Sequence, residues 1–197
     1  MTLVFASNNQ HKLQEVRQIL PEHITVLSLK DIGFHHDIDE TGLTLEENSA
    51  IKAQAIWQWL LSHQPSTPIN GVFADDTGLE IAALNGQPGV RTARWAGEEC
   101  DDAANRRLAL QMLEGHTLRD AQFRTVVTLI TTTATQQVQG IVRGRISHQE
   151  QGQGGFGYDP IFIPKGYNQT FASLPAEIKN SISHRALAMD ALRQLLD

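Results

Sequence analysis

Short apolar runs alternate with amphipathic stretches along this chain, and that alternation limits its possible folds more than any other feature. Apolar runs at 3–6, 24–29 and 69–74 have the length of strands, and the stretches that separate them include segments with helical spacing. Such alternation is typical of α/β domains. Two further runs, at 123–133 and 138–146, are joined by a short polar turn and predict a hairpin. We therefore expect a mixed sheet flanked by helices.

Size and composition set outer limits on function. The 197 residues fit one domain, 1–197, or one domain with two lobes. A net charge of −6 argues against a nucleic-acid partner, which normally meets a basic surface. The sequence shows neither a signal-like leader nor a run of the ~20 apolar residues that span a membrane. With Cys100 as its single cysteine, we expect a cytoplasmic protein without a membrane partner.

A capping box predicts the longest helix. Thr44-Leu45-Glu46-Glu47 has the Thr-x-x-Glu form that begins helices, and the helix should run to about Ser62, before the proline-bearing segment 64–68. Asn48 and Lys52 are four residues apart and would share one face of this helix. A solvated face is the plain alternative to a functional one.

Two adjacent acids, Asp75 and Asp76, follow the apolar run 69–74. The sequence predicts that the strand gives way here to a loop at 75–78 and that a further strand covers 79–84. Strand ends are where α/β folds place active-site residues. Because neighbouring residues of a strand point to opposite faces, we expect one acid, rather than both equally, to meet a metal ion. The alternative is a solvated turn.

Two loops are candidates for holding a phosphorylated ligand. Ser7-Asn8-Asn9-Gln10-His11-Lys12 joins the first strand to the first helix, where backbone N–H groups, a hydroxyl and a lysine would form an anion cradle. A simple helix cap formed by Ser7 and Asn8 is the alternative. Gly152 to Gly157 has the letters of a dinucleotide motif, but Tyr158-Asp159-Pro160 follows where a helix should begin, so that interpretation is rejected. The loop would present Phe156 either to a base or to a core.

The last helix is predicted to carry Ile182, Met189, Leu192 and Leu196 on one face, with Ser183-His184-Arg185 in its first turn. A cation in a first turn opposes the helix dipole. Local rules are broken most often at functional sites, and a ligand rich in acceptor oxygens would remove the conflict. A surface arginine beside a capping serine is the alternative.

Taken in order, these pieces resemble the inosine/xanthosine triphosphate pyrophosphatase family. Any one segment is weak evidence, but seven in sequence order are specific, and they extend over residues 6–185. The segments are Ala-Ser-Asn-Asn-x-x-Lys at 6–12 with Glu15, Glu-Thr-Gly-Leu-Thr at 40–44, Glu-Asn-x-x-x-Lys at 47–52, Ala-Asp-Asp-Thr-Gly-Leu at 74–79, Pro-Gly-Val-x-x-Ala-Arg at 88–94, Gly-Gly-Phe-Gly-Tyr-Asp-Pro-Ile-Phe at 154–162 and Lys-Asn-x-x-Ser-His-Arg at 179–185.

The resemblance implies an α/β fold with an elongated mixed β-sheet flanked by helices, in two lobes with a substrate cleft between them. It implies a homodimer and Mg²⁺-dependent hydrolysis of ITP, dITP or XTP to the monophosphate and pyrophosphate. Glu40 and Asp76 would bind the metal, and Asp76 would also accept the proton from water. The substrate-binding residues by this likeness are Ser7, Asn8, Asn9, Gln10, His11, Lys12, Lys52, Thr77, Phe156, Gly157, Tyr158, Asp159, Lys179, His184 and Arg185.

The sequence departs from the family pattern at two places. Thr77 stands where the family usually has serine, which keeps the hydroxyl. Arg91-Thr92 replaces the more common Tyr-Ser, which weakens a substrate role for that loop.

His184 and Arg185 offer donors that suit the carbonyl at purine position 6, whereas adenine has an amino donor there.

Other functions remain open at this point. One is a related pyrophosphatase that acts on a pyrimidine or modified nucleoside triphosphate, and another is a nucleotide-binding module without catalysis. An aspartyl-phosphate hydrolase is disfavoured, because that chemistry requires Asp-x-Asp after the first strand and here the acids are adjacent and far downstream.

Overall fold

The computed structural model describes residues 1–63, 65 and 67–196, and within these residues it shows a seven-stranded sheet and five α-helices. The strands are β1 Thr2–Phe5, β2 Thr25–Leu27, β3 Gly71–Ile81, β4 Pro88–Gly89, β5 Asp120–Thr131, β6 Thr135–Ile146 and β7 Phe162–Pro164. The helices are α1 Gln10–Ile19, α2 Leu45–His63, α3 Asp102–Met112, α4 Ala176–Ile182 and α5 His184–Leu196.

The sheet is mixed, as the sequence predicts. Its order is β2-β1-β3-β5-β6-β7, and β4 pairs with β3 off this path. β1 runs parallel to both β2 and β3, while β4 is antiparallel to β3 and β7 is antiparallel to β6. Three residues connect β5 to β6, which confirms the predicted hairpin, since so short a connection joins only antiparallel strands.

Two compact units divide the chain. The first contains Met1–Asp76, Thr125–Gly140 and Arg185–Asp197, and the second contains Thr77–Arg124 and Ile141–His184. Asp197, the end of the predicted single domain, lies outside the described residues. The two units agree with two predicted lobes, while the domain bounds and the substrate cleft stay predictions.

The first unit explains why its strands are apolar throughout. Leu3 and Phe5 of β1 pack into a core with residues of α1 and α5, whereas Val4 packs into a second core with Ile56 of α2. Both faces of β1 are therefore buried, as is usual for parallel strands between helices. The second unit has its own core, which includes Leu79, Leu113, Phe123, Ile146, Phe162 and Phe171.

The predicted loop at 75–78 is wrong. β3 continues from Gly71 to Ile81, so Asp75 and Asp76 lie inside a strand, and residues 82–84 form a 3₁₀ turn instead of the end of another strand. Both acids are buried, which excludes the solvated turn. Adjacent acids do not end this strand because each forms ion pairs with cations, and these offset the cost of burying the charge.

The predicted capping box is confirmed at the start of α2. Glu47 N–H donates to Thr44 Oγ1 at 3.1 Å, and Thr44 N–H donates to Glu47 Oε2 at 3.1 Å. The helix ends at His63, and Gln64 and Ser66 of the predicted break lie outside the described residues. In the described part of the chain, no helix is long and apolar enough to cross a membrane.

The predicted last helix is two helices. The chain leaves the helical conformation at Ser183, so Ile182 closes α4, while His184 and Arg185 begin α5 as expected. The alternative of a surface arginine is wrong, because Arg185 is 1% exposed. The reason for its burial is a pair of acids described below.

Candidate active site

Asp75 lies in the middle of β3, fully buried, and binds cations from two helices. Lys12 of α1 donates from Nζ to Oδ1 at 3.0 Å. Arg185 of α5 donates to Oδ2 from Nε at 3.3 Å and from Nη2 at 3.2 Å. Through Nη1, Arg185 also binds Glu15 of α1. Ion pairs to Asp75 therefore fix α1 and α5 to the central strand of the first unit.

This network determines the ionisation of its members. Burial acts to raise the pKa of Asp75, but the charges of Lys12 and Arg185 outweigh it and hold the pKa well below the ordinary 3.8. Burial lowers the pKa of Lys12 below 10.5. The charge of Asp75 acts to raise this pKa, while the charges of Lys52 and Arg185 lower it further. An anionic ligand would relieve this crowding of positive charges.

Asp76, the next residue of β3, contacts a different cation. Lys52 of α2 donates from Nζ to Asp76 Oδ1 at 3.2 Å and to Glu40 Oε2 at 3.1 Å. As expected for neighbours in a strand, the two aspartates thus have different partners. Lys52 is buried, so the solvated-face alternative for α2 is wrong.

Glu40 reaches Lys52 because the segment before α2 is bound to that helix. Gly42 N–H donates to the side chain of Asn48 at 2.8 Å, and Leu43 N–H donates to Glu47 at 2.6 Å. A Cβ atom at Gly42 would lie 2.6 Å from the Cβ of Glu47, so only glycine permits this close approach. Asn48, the second residue predicted on this face, is buried by the same contact.

The pKa values around Lys52 suit proton transfer. Burial raises the pKa of Asp76 above the ordinary 3.8, and Lys52 and Lys12 do not fully offset that rise. Burial acts to lower the pKa of Lys52, but the charges of Asp76 and Glu40 outweigh it and raise the pKa above 10.5. Lys52 therefore stays an ammonium ion, while Asp76 takes up a proton more readily than an ordinary aspartate does.

The carboxylates beside Lys52 have the chemistry of a Mg²⁺ site. Oδ2 of Asp76 is buried and has no hydrogen-bond partner within the described residues. Glu40 and Asp76 both approach one cationic point, the Lys52 ammonium. No group of three or more His, Cys, Asp or Glu side chains in residues 1–63, 65 and 67–196 forms a metal site by itself. Mg²⁺ often takes one or two carboxylates and completes its shell with water and phosphates, so the pair fits it.

The segment 7–12 contains a helix cap, as the alternative proposed, but the capping residue is Asn9 rather than Ser7 or Asn8. The Asn9 side chain accepts a hydrogen bond from Lys12 N at 3.1 Å, and Ser7 Oγ accepts one from Asn9 N at 3.2 Å. A cap does not preclude a phosphate site, because the N-terminus of α1 still attracts anions. A cavity of about 260 Å³ is lined by Ser7, Asn8 and Gln10, and His11 is exposed. Their contacts with phosphate stay predictions.

Residues 152–159, here called the glycine loop, form no helix, which agrees with the rejection of a dinucleotide motif. Asp159 is buried and accepts hydrogen bonds from Phe156 N at 2.8 Å and from Lys179 Nζ at 2.7 Å. Lys179 Nζ also lies 5.0 Å from the centroid of the Phe156 ring, within range of a cation–π contact. Three residues predicted for the base and sugar site therefore touch one another.

Gly155 permits the turn of this loop. Its φ of +71° belongs to the left-handed region, which side chains with a Cβ rarely adopt. A Cβ there would lie 2.0 Å from Oδ2 of Asp159. The glycine thus lets the carboxylate reach both the loop and Lys179.

Asp102 and Arg106 of α3 are supporting residues that the sequence analysis missed. Asp102 Oδ2 accepts a hydrogen bond from Gly157 N at 2.8 Å, and Arg106 Nη1 donates one to Gly157 O at 2.9 Å. Both polar groups of one backbone residue are thus bound by side chains four apart on one helix face. Their spacing in the sequence is the signal that could have suggested a pair, but nothing in it points to Gly157.

Tyr158 and His184 are buried and support the second unit from within. Tyr158 donates from its hydroxyl to Thr92 O at 2.9 Å, and burial raises the pKa of Tyr158 above 10.0, so the hydroxyl stays neutral. The His184 ring stacks on Phe123 with 4.6 Å between centroids. Thr77 is half-buried in β3. The substrate contacts of these three residues and of Arg185 stay predictions.

Comparison with known proteins confirms the predicted family. The model of the Ham1 family matches residues 3–195. A dITP/XTP pyrophosphatase of Flavobacterium johnsoniae is 46% identical over 196 residues, an alignment that covers 100% of this chain and 98% of the relative. A dITP/XTP pyrophosphatase of Bacillus subtilis is 43% identical over 199 residues, with 98% and 96% covered.

A solved structure shares the fold. The Ham1 protein of Staphylococcus aureus matches with a TM-score of 0.86 at 38% identity, over 100% of this chain and 98% of that one. Motifs, full-length relatives and fold all agree, and the chain belongs to the Ham1 family.

Proposed function

We propose that this chain is a nucleoside triphosphate pyrophosphatase that hydrolyses non-standard purine nucleotides such as dITP, XTP and ITP to the monophosphate and pyrophosphate. Family membership and relatives named for dITP and XTP support the reaction class. The observation that carries the proposal is Asp76, a buried carboxylate with a raised pKa and an oxygen that no hydrogen bond within the described residues occupies. Lys52 and Glu40 stand beside it.

Glu40 and Asp76 would hold Mg²⁺, for the reasons of fit given above. When bound, the ion would neutralise phosphate charge and lower the pKa of water. Lys52 lies between the two carboxylates, so it would keep them together and share its charge with the incoming phosphates.

Asp76 would act as the general base. Its Oδ2 would accept the proton of a water molecule while the water oxygen bonds to the α-phosphorus and the bond to the α–β bridging oxygen breaks. Pyrophosphate leaves with that oxygen. A positioned base of this kind contributes roughly 10²- to 10⁴-fold to the rate.

Lys12 and Lys52 would hold the triphosphate together with backbone N–H groups at the start of α1. Lys12 is crowded by other cations, so phosphate charge would improve its surroundings. Fixed positive charges are most useful where negative charge builds up on the leaving pyrophosphate.

Recognition of the base would fall to the glycine loop and its partners. Phe156 offers a ring face for stacking, while Lys179 and His184 can donate to a carbonyl at purine position 6. The amino group at position 6 of adenine is itself a donor, so it could not pair with these donors. Buried polar groups left unpaired in this way can make kcat/KM for the wrong substrate about 10⁴ to 10⁵ times lower. Arg185, which binds Asp75 and Glu15, would act chiefly by holding that network.

Three expectations from the sequence join this proposal. The protein would be a homodimer, by its family likeness. It would act in the cytoplasm, where nucleoside triphosphates are its partners. Nucleic acid and membranes would not be partners, which suits a net charge of −6.

A pyrophosphate-release assay across dITP, XTP, ITP, ATP and dTTP, with Mg²⁺ or with EDTA, tests the function. We expect pyrophosphate from the first three only with Mg²⁺, at a kcat/KM at least ~100-fold above that for ATP, since the site leaves adenine's donors unpaired. Orthophosphate, measured in parallel, controls for stepwise removal of phosphates.

Each alternative has its own result in that assay. Faster release from dTTP than from dITP would favour a pyrimidine nucleotide. Binding of dITP by calorimetry without release of pyrophosphate would favour the non-catalytic module. Either result would overturn the proposal.

A further inference from the structure

A cavity of about 450 Å³ in the second unit is not explained by the proposed function. It lies where β5 begins and β6 ends, and none of the residues assigned above to metal, phosphate or base lines it. Its volume falls within the usual range for small-molecule sites. The charged residues that line it are Arg119, Asp120, Arg145 and His148.

Arg119 places a fixed positive charge at this cavity. Its guanidinium donates to the carbonyl oxygens of Ile146 at 2.8 Å, Leu113 at 3.0 Å and Ser147 at 2.6 Å. Arg119 is buried, and within the described residues it forms no ion pair with Asp or Glu. Burial alone lowers its pKa, with no acid to raise it.

The three carbonyl contacts orient the guanidinium but neutralise it only in part. Leu113 is the C-cap of α3, so its carbonyl brings the negative end of a helix dipole, equivalent to about half a charge. A guanidinium also has more N–H donors than these three bonds use. An anion that bound Arg119 would therefore not cost the loss of side-chain freedom that an exposed arginine would suffer.

Two more basic side chains line the same cavity. Arg145 lies at the end of β6 and His148 follows it, and both are exposed. For neither side chain does the described part of the chain show an ion pair. Asp120 is the acid among the lining residues, so the cavity carries an excess of positive charge on a protein whose net charge is −6.

We propose that this cavity binds a small phosphate-bearing anion. Oxygens of one phosphate group would accept hydrogen bonds from Arg119 and from the planar fork of Arg145, a geometry that suits guanidinium groups. His148 would add a donor from the rim. Since Asp120 is the one acid among the described residues that line the cavity, binding needs no divalent cation.

Calorimetry in EDTA with inorganic pyrophosphate, orthophosphate and AMP as probes tests the site. Arg145→Gln removes one exposed charge, and we expect it to weaken binding at least tenfold, as is usual for a lost charge-assisted bond. Arg143→Gln is the matched control, because Arg143 is exposed on the same strand, carries the same charge and does not line the cavity. It should bind as the wild type does.

Lys12→Gln separates this cavity from the phosphate site of the proposed function. Retained binding in Lys12→Gln, with loss in Arg145→Gln, supports the cavity, and tighter binding of AMP than of pyrophosphate would identify a phosphate ester as its ligand. Binding lost in Lys12→Gln but kept in Arg145→Gln would overturn the inference. So would displacement by chloride at equal ionic strength, or no binding of any probe, which would leave Arg119 a purely structural residue.

The two proposals fail separately. Pyrophosphate release by the wild type depends on Asp76 and the purine substrate, whereas anion binding in EDTA depends on Arg119 and Arg145. An inactive protein that binds the probes at the cavity would sink only the proposed function.

Discussion

The buried charge cluster of the first unit and the glycine loop of the second are held together in different ways. The buried charge cluster consists of Lys12, Glu40, Lys52, Asp75, Asp76 and Arg185, and ion pairs among these side chains hold it together. The glycine loop, 152–159, is irregular and is held mainly by hydrogen bonds to its backbone, with one buried ion pair between Asp159 and Lys179.

The difference determines what a single substitution can do in each region. In the buried charge cluster, loss of one charge leaves another buried and uncompensated, which is costly in a low-dielectric interior. In the glycine loop, loss of Asp102 or Arg106 removes one hydrogen bond to the Gly157 backbone, while the bonds to Asp159 and its buried pair with Lys179 remain. We therefore expect large effects on rate or folding from the cluster and smaller effects on substrate affinity from the loop.

Asp76→Asn should give the largest effect. The amide cannot accept the proton of water, so kcat for dITP should fall by about 10²- to 10⁴-fold, while the near-identical shape preserves the fold. Asp190→Asn, on the exposed face of α5, is the matched control and should retain full activity. Turnover of Asp76→Asn at the wild-type rate would show that Asp76 is not the base. It would also contradict the expectation that the cluster has larger effects on rate than the glycine loop.

Arg185→Ala should destabilise the protein strongly. It leaves Asp75 and Glu15 without their shared guanidinium, and breaking a buried pair in this way costs about 3–5 kcal/mol. Urea unfolding measures the loss in stability, and Arg193→Ala, which removes a half-buried arginine from the same helix, should change stability by no more than about 0.5 kcal/mol. A stable Arg185→Ala variant that loses its preference for ITP over ATP would instead support direct contact with the base.

Gly155→Ala tests whether the glycine loop depends on one close approach. The added Cβ collides with the Asp159 carboxylate, and the left-handed φ adds strain. We therefore expect the free energy of unfolding to fall by about 1–3 kcal/mol and KM for dITP to rise. Gly115→Ala is the control. Gly115 has a similar φ of +77°, but no atom lies within 4 Å of the position of a new Cβ, so this variant has the backbone strain without the collision. Equal losses in both variants would show that the contact with Asp159 is unimportant.

Asp102→Ala and Arg106→Ala should give the smallest effects. Each removes one bond to Gly157, and Arg106→Ala also removes the ion pair of Arg106 with Glu150, so KM for dITP should rise about two- to tenfold with little change in kcat. Arg107→Ala on the same helix, with an exposed side chain, is the control and should leave KM unchanged. A fall in kcat without a change in KM would place these residues in the chemical step and contradict the difference between the two regions.

The sequence predicted the elements that local rules decide. Thr44 and Glu47 form their capping box, and the predicted hairpin joins the two apolar runs that became β5 and β6. These features depend on a few neighbouring residues, whose preferences a short segment already contains.

Local rules failed where distant charges decide. They ended the strand before Asp75, because two acids suit a turn, and they extended the last helix through Ile182. The first error could not be corrected from the segment itself, since the cations that stabilise the acids in the strand come from residues 12, 52 and 185.

By itself, the sequence determined the class of fold, the family and the set of candidate polar site residues, because periodicity and motif order are properties of the sequence alone. Only the tertiary structure decided which acid pairs with which cation, that Asp102 and Arg106 bind Gly157, and that Arg119 is buried with no carboxylate partner among the residues that the structure describes. Ion pairs and backbone contacts act over a few ångströms in space, and residues that meet there are separated by up to 170 positions along the chain.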